Sequence, residues 1–259
     1  MNRYAPPNLS LRWIPVWRRN ALVWQRLAIP SILGNLADPL IMLFGLGYGL
    51  GAMIGNFQGT TYFAWLAAGF VATSTMYAAT FESLFSAFSR MHVQRTWDAI
   101  LNAPVTLDDV LAGEYAWAAT KALAAGGCML VVVSLFGYAK FPWMFAALPV
   151  IVLIGLAFAA LGLAINALAH GYDFFSYYMT LVLTPMMMLS GVFFPVERMP
   201  ELVQWGAKAL PLYHGVAIIR PLLAGEITSG ALAHVAVLAL YAVAGFYLAT
   251  VLTRRRLLK

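Results

Sequence analysis

Long apolar stretches alternate with short polar segments along the whole chain. Their lengths of ~20 residues or more are what an α-helix needs to cross a bilayer, whereas transmembrane β-strands give alternating segments of ~10 residues. The pattern predicts six spans: Ile29–Leu50, Tyr62–Phe88, Val110–Tyr138, Trp143–Leu168, Phe174–Phe194 and Ala231–Thr253. We therefore expect an all-α integral membrane protein in which residues 1–259 form a single transmembrane domain.

The segment before the first span predicts an interfacial helix over residues 9–27. Arginines alternate there with Trp13, Trp17 and Trp24, and these tryptophans share one helical stripe. A basic tail that only directs insertion is the alternative.

The segment before the last span, residues 195–230, is apolar but too short to cross the bilayer twice. Pro200, Pro211 and Pro221 divide it, because proline interrupts helices. We expect two short helices that re-enter the outer leaflet, with a helical surface flap as the alternative.

The polar segment Arg90–Glu114 separates the second and third spans and predicts a short amphipathic helix over residues 90–104. Its apolar residues fall at i, i+4, i+7 and i+8, on one helical face: Val93, Trp97, Ile100 and Leu101. Pro104 ends this helix near Ala103. Such a face outside the lipid is a surface that a partner could bind.

A capping box is predicted at the start of the next helix. Thr106 is followed three residues later by Asp109, the spacing at which the two residues cap each other's backbone.

Composition supports the membrane class, with 62% hydrophobic residues, 10% charged residues and a mean hydropathy of +0.79. A soluble domain carries about 25% charged residues. The net charge of +6 does not indicate a nucleic-acid partner, because the basic residues lie at span boundaries. Cys128 is the only cysteine, so no internal disulfide is expected.

The positive-inside rule predicts the orientation. Eleven basic residues fall on the side of the termini and four on the other. The eleven are Arg3, Arg12, Arg18, Arg19, Arg26, Arg90, Arg95, Arg254, Arg255, Arg256 and Lys259. Both termini and the Arg90–Glu114 loop are therefore expected in the cytoplasm.

Motifs for self-contained chemistry are absent from the sequence. There is no GxxxxGK[ST] loop for ATP, no HExxH and no pair of cysteine ligands, and the four histidines are scattered. No catalytic residue, metal site or cofactor is predicted in this chain. Internal repeats, the usual mark of secondary transporters, are not evident either.

Apart from Glu114, which belongs to the polar segment Arg90–Glu114, three charged residues fall inside predicted spans, where charges are costly and often functional: Asp38, Glu82 and Lys121. Glu82 and Lys121 come at similar depth on consecutive spans, which predicts an ion pair. Asp38 precedes Pro39 and is expected to mark a helix break or a polar contact at a subunit interface.

Glycines and aromatic residues are also concentrated. The run GLGYGLGAMIG at Gly45–Gly55 predicts close helix packing or a flexible outer end of the first span. Aromatic residues make up 14% of the chain and either stack on sugar rings or belong to the interfacial belts.

Several motifs together are specific: LGN at Leu33–Asn35, the glycine run, ATFE at Ala79–Glu82, QRTWDAIL at Gln94–Leu101, GEYAWAATKA at Gly113–Ala122, GLAFA at Gly155–Ala159, YDFF at Tyr172–Phe175, LSGVFFPVERMP at Leu189–Pro200, IRPLLAG at Ile219–Gly225 and the terminal RRRLLK. On these residues the chain resembles the ABC-2 type permeases over nearly its whole length. It is most similar to the NodJ family of nodulation-type lipo-oligosaccharide exporters.

The resemblance implies a homodimer in the bacterial inner membrane, bound to two copies of a NodI-like cytoplasmic ATPase that holds ATP and Mg²⁺. The coupling helix inserted into that ATPase would carry Arg95, Thr96, Trp97, Asp98, Ile100 and Leu101. The first and fifth spans and the outer helices would form the path and gate, with Tyr48, Phe174, Tyr177, Tyr178, Phe193, Phe194, Trp205 and Arg220.

The function that the resemblance implies is ATP-driven export of a lipo-oligosaccharide or lipid-linked glycan. Export of a hydrophobic drug or antibiotic is the alternative within transport. A self-contained secondary transporter and a membrane scaffold are alternatives from other classes.

Overall fold

A computed structural model of the chain describes residues 3–258; Lys259, which the charge count includes, lies outside them. The structure is a bundle of α-helices with one short hairpin. The helices are α1 (Trp13–Gln25), α2 (Ala28–Ile54), α3 (Tyr62–Phe81), α4 (Thr96–Leu101), α5 (Leu107–Leu135), α6 (Ala147–Leu168), α7 (Tyr172–Tyr178), α8 (Thr184–Leu189), α9 (Glu201–Ala209), α10 (Pro211–Ala224) and α11 (Ala231–Leu257). The hairpin pairs β1 (Asn56–Phe57) antiparallel with β2 (Thr60–Thr61).

Two of the helices continue in π-helical geometry. Segments Glu82–Ser86 and Ser89–Val93 extend α3, and Met179–Leu183 joins α7 to α8. Short 3₁₀ turns at Trp143–Ala146 and Val196–Arg198 precede α6 and α9.

Four helices among the described residues are long and apolar enough to cross a membrane: α2, α5, α6 with its preceding turn, and α11. The predicted second span corresponds to α3 and its continuation. The predicted fifth span corresponds to the helical stretch from Tyr172 to Leu189, which ends five residues before Phe194.

The centre of the bundle is formed by α3, α5 and α6, and α11 packs along α6. Two short helices follow residue 195, as the proline spacing predicts. The second of them, α10, packs its buried residues Leu212, Val216 and Ile219 against α3, α6 and α11. In contrast, α2 contacts mainly α3 and leaves most of its apolar surface exposed.

The glycine run lies within α2 and allows close packing at one place. A Cβ on Gly47 would lie 2.5 Å from the Phe63 ring, so only glycine fits without a shift. Gly45 and Gly49 have no atom within 4 Å of such a Cβ. The helix continues through the run to Ile54 and is followed by Gly55, where φ is +67°.

Two prolines do not break their helices, contrary to the sequence prediction. Pro39 lies inside the continuous helix α2, so Asp38 does not mark a break. Pro221 lies inside α10, near its end. Proline at this position cannot bond the Ala217 carbonyl, and the Thr228 hydroxyl donates to that oxygen instead at 3.0 Å.

The N-terminal helix α1 packs on α5 and is not a free basic tail. Val16 is buried in a notch at Gly113, where a Cβ would lie 2.6 Å from the Val16 side chain. The Trp17 indole also donates to the Thr120 hydroxyl at 3.0 Å. The helix therefore forms over residues 13–25 of the predicted 9–27 segment.

Candidate coupling site

The short helix α4 is attached to the bundle by its own apolar side chain. Trp97 is only 2% exposed and packs among residues of the continuation of α3 and of α5. Its indole Nε1 donates to Glu114 Oε1 at 3.2 Å. Trp97 therefore points into its own protein, and the prediction that it presents an apolar surface to a partner needs correction.

The predicted helical face is also interrupted. Arg95 adopts left-handed geometry, with φ of 49°, and this turn separates Val93 from α4. Val93 is 65% exposed and does not share the side of α4 that carries Trp97. Of the other predicted coupling residues, Arg95 and Asp98 are exposed, Leu101 is 37% exposed, and Thr96 and Ile100 are half-buried.

Beneath α4 lies a buried charge network formed by Glu82, Arg90, Glu114 and Lys121. Lys121 Nζ lies 2.9 Å from Glu82 Oε2, so the predicted Glu82–Lys121 ion pair is present. Arg90 Nη2 donates to Glu82 Oε1 at 2.8 Å, and Arg90 Nε donates to Glu114 Oε1 at 2.9 Å. Trp117 Nε1 donates to Glu82 Oε1 at 2.9 Å.

The network is electrically balanced, because two carboxylates face two cations. Its carboxylates are buried, with side-chain exposures of 3% for Glu82 and 1% for Glu114. Buried charges persist only when they are paired and hydrogen-bonded, as these are. The pairs connect the continuation of α3 to α5, and Trp97 connects α4 to both.

Sequence reasoning missed Arg90, Glu114 and Trp117 as members of this network. One feature of the sequence could have identified Glu114 as a member. The capping box at Thr106 and Asp109 forms as predicted, so α5 begins at Leu107 and includes Glu114. Glu114 and Lys121 are then seven residues apart on one helical face.

A second buried ion pair joins α5 to the last helix. Arg254 is 1% exposed and forms a bidentate pair with Asp108, with Nε donating to Oδ1 at 2.8 Å. The same arginine donates to the Ala5 carbonyl, and the backbone N–H of Asn8 donates to Asp108 Oδ2 at 2.9 Å. The described ends of the chain and the start of α5 therefore meet at one end of the bundle.

A cavity of about 610 Å³ lies between α2, α3 and the helical stretch that includes α8. Methionines and aromatic residues form half of its wall, and Asn35, Asp38, Thr73 and the Tyr77 hydroxyl add polar groups. Asp38 is exposed at this cavity.

The predicted path and gate residues do not converge in one chain. Phe193 lines the cavity and packs on Phe70, with ring centroids 5.9 Å apart. Arg220 connects three elements, because its guanidinium lies 3.5 Å above the Trp65 ring and donates to the Gly191 carbonyl at 2.7 Å. The remaining six lie elsewhere: Tyr48, Phe174, Tyr177, Phe194 and Trp205 are exposed, and Tyr178 is half-buried.

These features define a helical membrane protein in which the short helix α4 is connected, through Trp97, to a buried charge network between the spans. The chain belongs to the ABC-2 type transporter family, whose model matches residues 13–224. It is therefore a transmembrane permease, a transport component of a bacterial membrane. The family implies an ABC ATPase as partner in the transporter complex.

Relatives match almost end to end. The chain is 51% identical over 255 residues to Nodulation protein J of Rhizobium leguminosarum bv. trifolii, covering 98% of this chain and 97% of that one. It is 51% identical over 254 residues to Nodulation protein J of Rhizobium meliloti (strain 1021), covering 98% and 97%. A more distant relative, the inner membrane transport permease YadH of Escherichia coli (strain K12), is 24% identical over 219 residues, covering 83% and 80%.

Proposed function

We propose that this chain is the six-span permease subunit of an ATP-driven exporter that moves a lipo-oligosaccharide or lipid-linked glycan out of the cytoplasm. It acts as a homodimer with two NodI-like ATPases, which bind ATP and Mg²⁺. Both termini and α4 face the cytoplasm. The observation that carries the coupling step is the hydrogen bond from Trp97 to Glu114, because it attaches α4 to the buried charge network.

Movement of α4 is transmitted to the spans through that network. A push by the ATPase on the outward residues Asp98 and Leu101 moves Trp97, and the hydrogen bond from Trp97 passes this displacement to Glu114. Arg90 then carries the displacement to Glu82 on the continuation of α3. Buried, fully paired groups of this kind switch between discrete arrangements and do not deform gradually.

The cavity beside α2 supports an amphipathic cargo. It offers hydroxyl, amide and carboxylate groups near an otherwise apolar wall, which suits a molecule with a sugar part and an acyl part. The exposed apolar face of α2 suits the two-fold contact of a homodimer, so that the path lies between two copies. Two short outer helices, α9 and α10, re-enter the leaflet and close the outer end of this path.

Cross-linking tests the docking surface. In a Cys128→Ala background, we expect Asp98→Cys to cross-link to the ATPase isolated with the permease. The control is Val131→Cys, which is 51% exposed within a candidate span and should not cross-link. Equal labelling of both positions would contradict the assignment of α4.

Transport tests the cargo and the coupling. Inverted membrane vesicles containing permease and ATPase should accumulate an acylated oligosaccharide when ATP is added. Trp97→Phe keeps an aromatic ring but removes the indole Nε1 that donates to Glu114, so accumulation should fall while basal ATP hydrolysis persists. Retained accumulation in this variant would refute transmission through Trp97.

Export of a hydrophobic drug is the second candidate, and one observation favours it. Four methionines, which adapt to varied apolar ligands, line the α2 cavity: Met42, Met179, Met187 and Met188. ATP-dependent uptake of an aromatic drug but not of the acylated oligosaccharide would select this alternative.

A further inference from the structure

A second cavity, of about 420 Å³, lies beside the buried charge network on the side of α1. Its wall includes residues of α1, the continuation of α3, α5 and the start of α7. Cavities of this size commonly hold small molecules or head groups. The coupling step uses Glu82 and Arg90 from its wall, but neither that step nor the proposed path gives the cavity an occupant.

One wall of this cavity carries two hydrogen-bond donors without acceptors. Asn20 is 3% exposed, and its Oδ1 accepts from Arg19 Nη1 at 3.0 Å, but its Nδ2 has no partner. The buried Nε1 of Trp24, four residues further along the same helical face, also has none. A buried donor left without an acceptor is costly, so these groups fit a ligand that brings acceptor oxygens.

The charges at the cavity select the sign of that ligand. Its wall contains three cations, Arg19, Arg90 and Lys121, and one carboxylate, Glu82, for a net charge of +2. Glu114 behind the wall reduces this to +1. Arg90 and Lys121 are paired, whereas Arg19 takes part in none of the four ion pairs found within residues 3–258. Arg19 is therefore the cation available to an anion.

The rim of the cavity is apolar. Val23 and Leu27 on α1 and the end of its following turn are 55% and 62% exposed, and Phe85 lies further inside. A soluble anion gains nothing from this rim, whereas the acyl chains of a lipid would cover it. The arrangement of a cationic interior and an apolar edge is that of a site for a charged amphiphile.

We propose that this cavity binds the phosphate head group of an anionic lipid from the leaflet on the side of the chain termini. Arg19 and the Asn20 and Trp24 donors hold the phosphate oxygens, and the acyl chains lie over Val23 and Leu27. The phosphates of both anionic and zwitterionic lipids can accept a charge-assisted hydrogen bond from Arg19. The choline cation of a zwitterionic lipid would in addition be repelled by the net positive charge of the cavity, so anionic lipid binds more tightly.

Native mass spectrometry of the purified permease tests this site without the ATPase or any cargo. Titration with dioleoylphosphatidylglycerol should show a bound lipid at lower concentration than titration with dioleoylphosphatidylcholine. Arg19→Gln should weaken phosphatidylglycerol binding about tenfold or more. The matched control is Arg18→Gln, which removes the same charge from the neighbouring, exposed position and should bind like the unmodified protein.

A second variant and a soluble probe complete the test. Val23→Trp fills the rim without changing charge and should also weaken phosphatidylglycerol binding. Equal binding of the two lipids, or equal loss in the Arg18 and Arg19 variants, would overturn the proposal. Binding of inorganic phosphate as tight as that of phosphatidylglycerol would overturn it too, because the site would then take a soluble anion.

Discussion

Removing one carboxylate from the buried charge network should unbalance it. Glu82 accepts from Arg90 and Trp117 through Oε1 and from Lys121 through Oε2, and all three donors lie within 2.9 Å. Glu82→Gln preserves size but leaves two cations against the single carboxylate of Glu114. Breaking a buried pair in this way costs about 3–5 kcal/mol. At about 2–4 °C per kcal/mol for a chain of this size, the thermal midpoint should fall by about 6–20 °C.

The double variant Glu82→Gln/Lys121→Gln distinguishes a charge effect from a packing effect. It restores neutrality, so we expect it to be more stable than Glu82→Gln alone. Thermal denaturation of the purified permease measures both, with Glu226→Gln, an exposed carboxylate, as a control that should cause no measurable shift. If the double variant loses the sum of the two single losses, the sites are independent and the reasoning is refuted.

A charge swap is a poorer test of the same pair. It would be the obvious choice if Glu82 and Lys121 interacted only with each other. Because Arg90 also contacts Glu82, Glu82→Lys would place a second cation beside that arginine. We therefore expect the double variant Glu82→Lys/Lys121→Glu not to recover the thermal stability that each single variant loses.

Two further predictions concern the end of the bundle where the chain termini meet. Gly113→Ala should cost about 1–3 kcal/mol and expose α1 to limited proteolysis, because its Cβ would lie 2.6 Å from Val16. Gly127→Ala, on the same helix with nothing within 4 Å, should not; similar digestion of both would refute the notch. Arg254→Gln should cost about 3–5 kcal/mol in thermal unfolding, since it leaves a buried carboxylate unpaired. Arg255→Gln, at an exposed position where the guanidinium lies 5.5 Å from the centre of the Tyr4 ring, should cost less than about 1 kcal/mol, and equal losses would contradict the assigned pair.

Hydrophobic length and local capping rules carried most of the fold prediction. Apolar runs of ~20 residues indicate spans because the bilayer fixes the helix length, and the four longest helices follow these runs. Thr106 and Asp109 cap α5 as predicted, because capping depends only on neighbours in sequence. The similar depth of Glu82 and Lys121 in the membrane could also be predicted, because the rise per residue of a helix converts residue number into position along the span.

The direction of a helical face could not be predicted in the same way. Periodicity groups Trp97 with Ile100 and Leu101 but does not say whether that side faces a partner or the protein's own helices. The answer depends on Glu114, seventeen residues away, whose carboxylate accepts the indole N–H. Arg254 was read as a topological charge, and only the three-dimensional fold brings it to Asp108, 146 residues earlier.

The contacts between the two ends of the chain determine when the protein can finish folding. Arg254 donates to the Ala5 carbonyl, and the Tyr247 hydroxyl donates to the Tyr4 carbonyl at 2.9 Å, across 249 and 243 residues. During synthesis the N-terminal segment emerges first and must wait for α11. The contacts of Arg254 and Tyr247 can form only after α11 has left the ribosome and entered the membrane. Until α11 is in place, the buried carboxylate of Asp108 lacks its arginine partner and accepts only from the N-terminal segment.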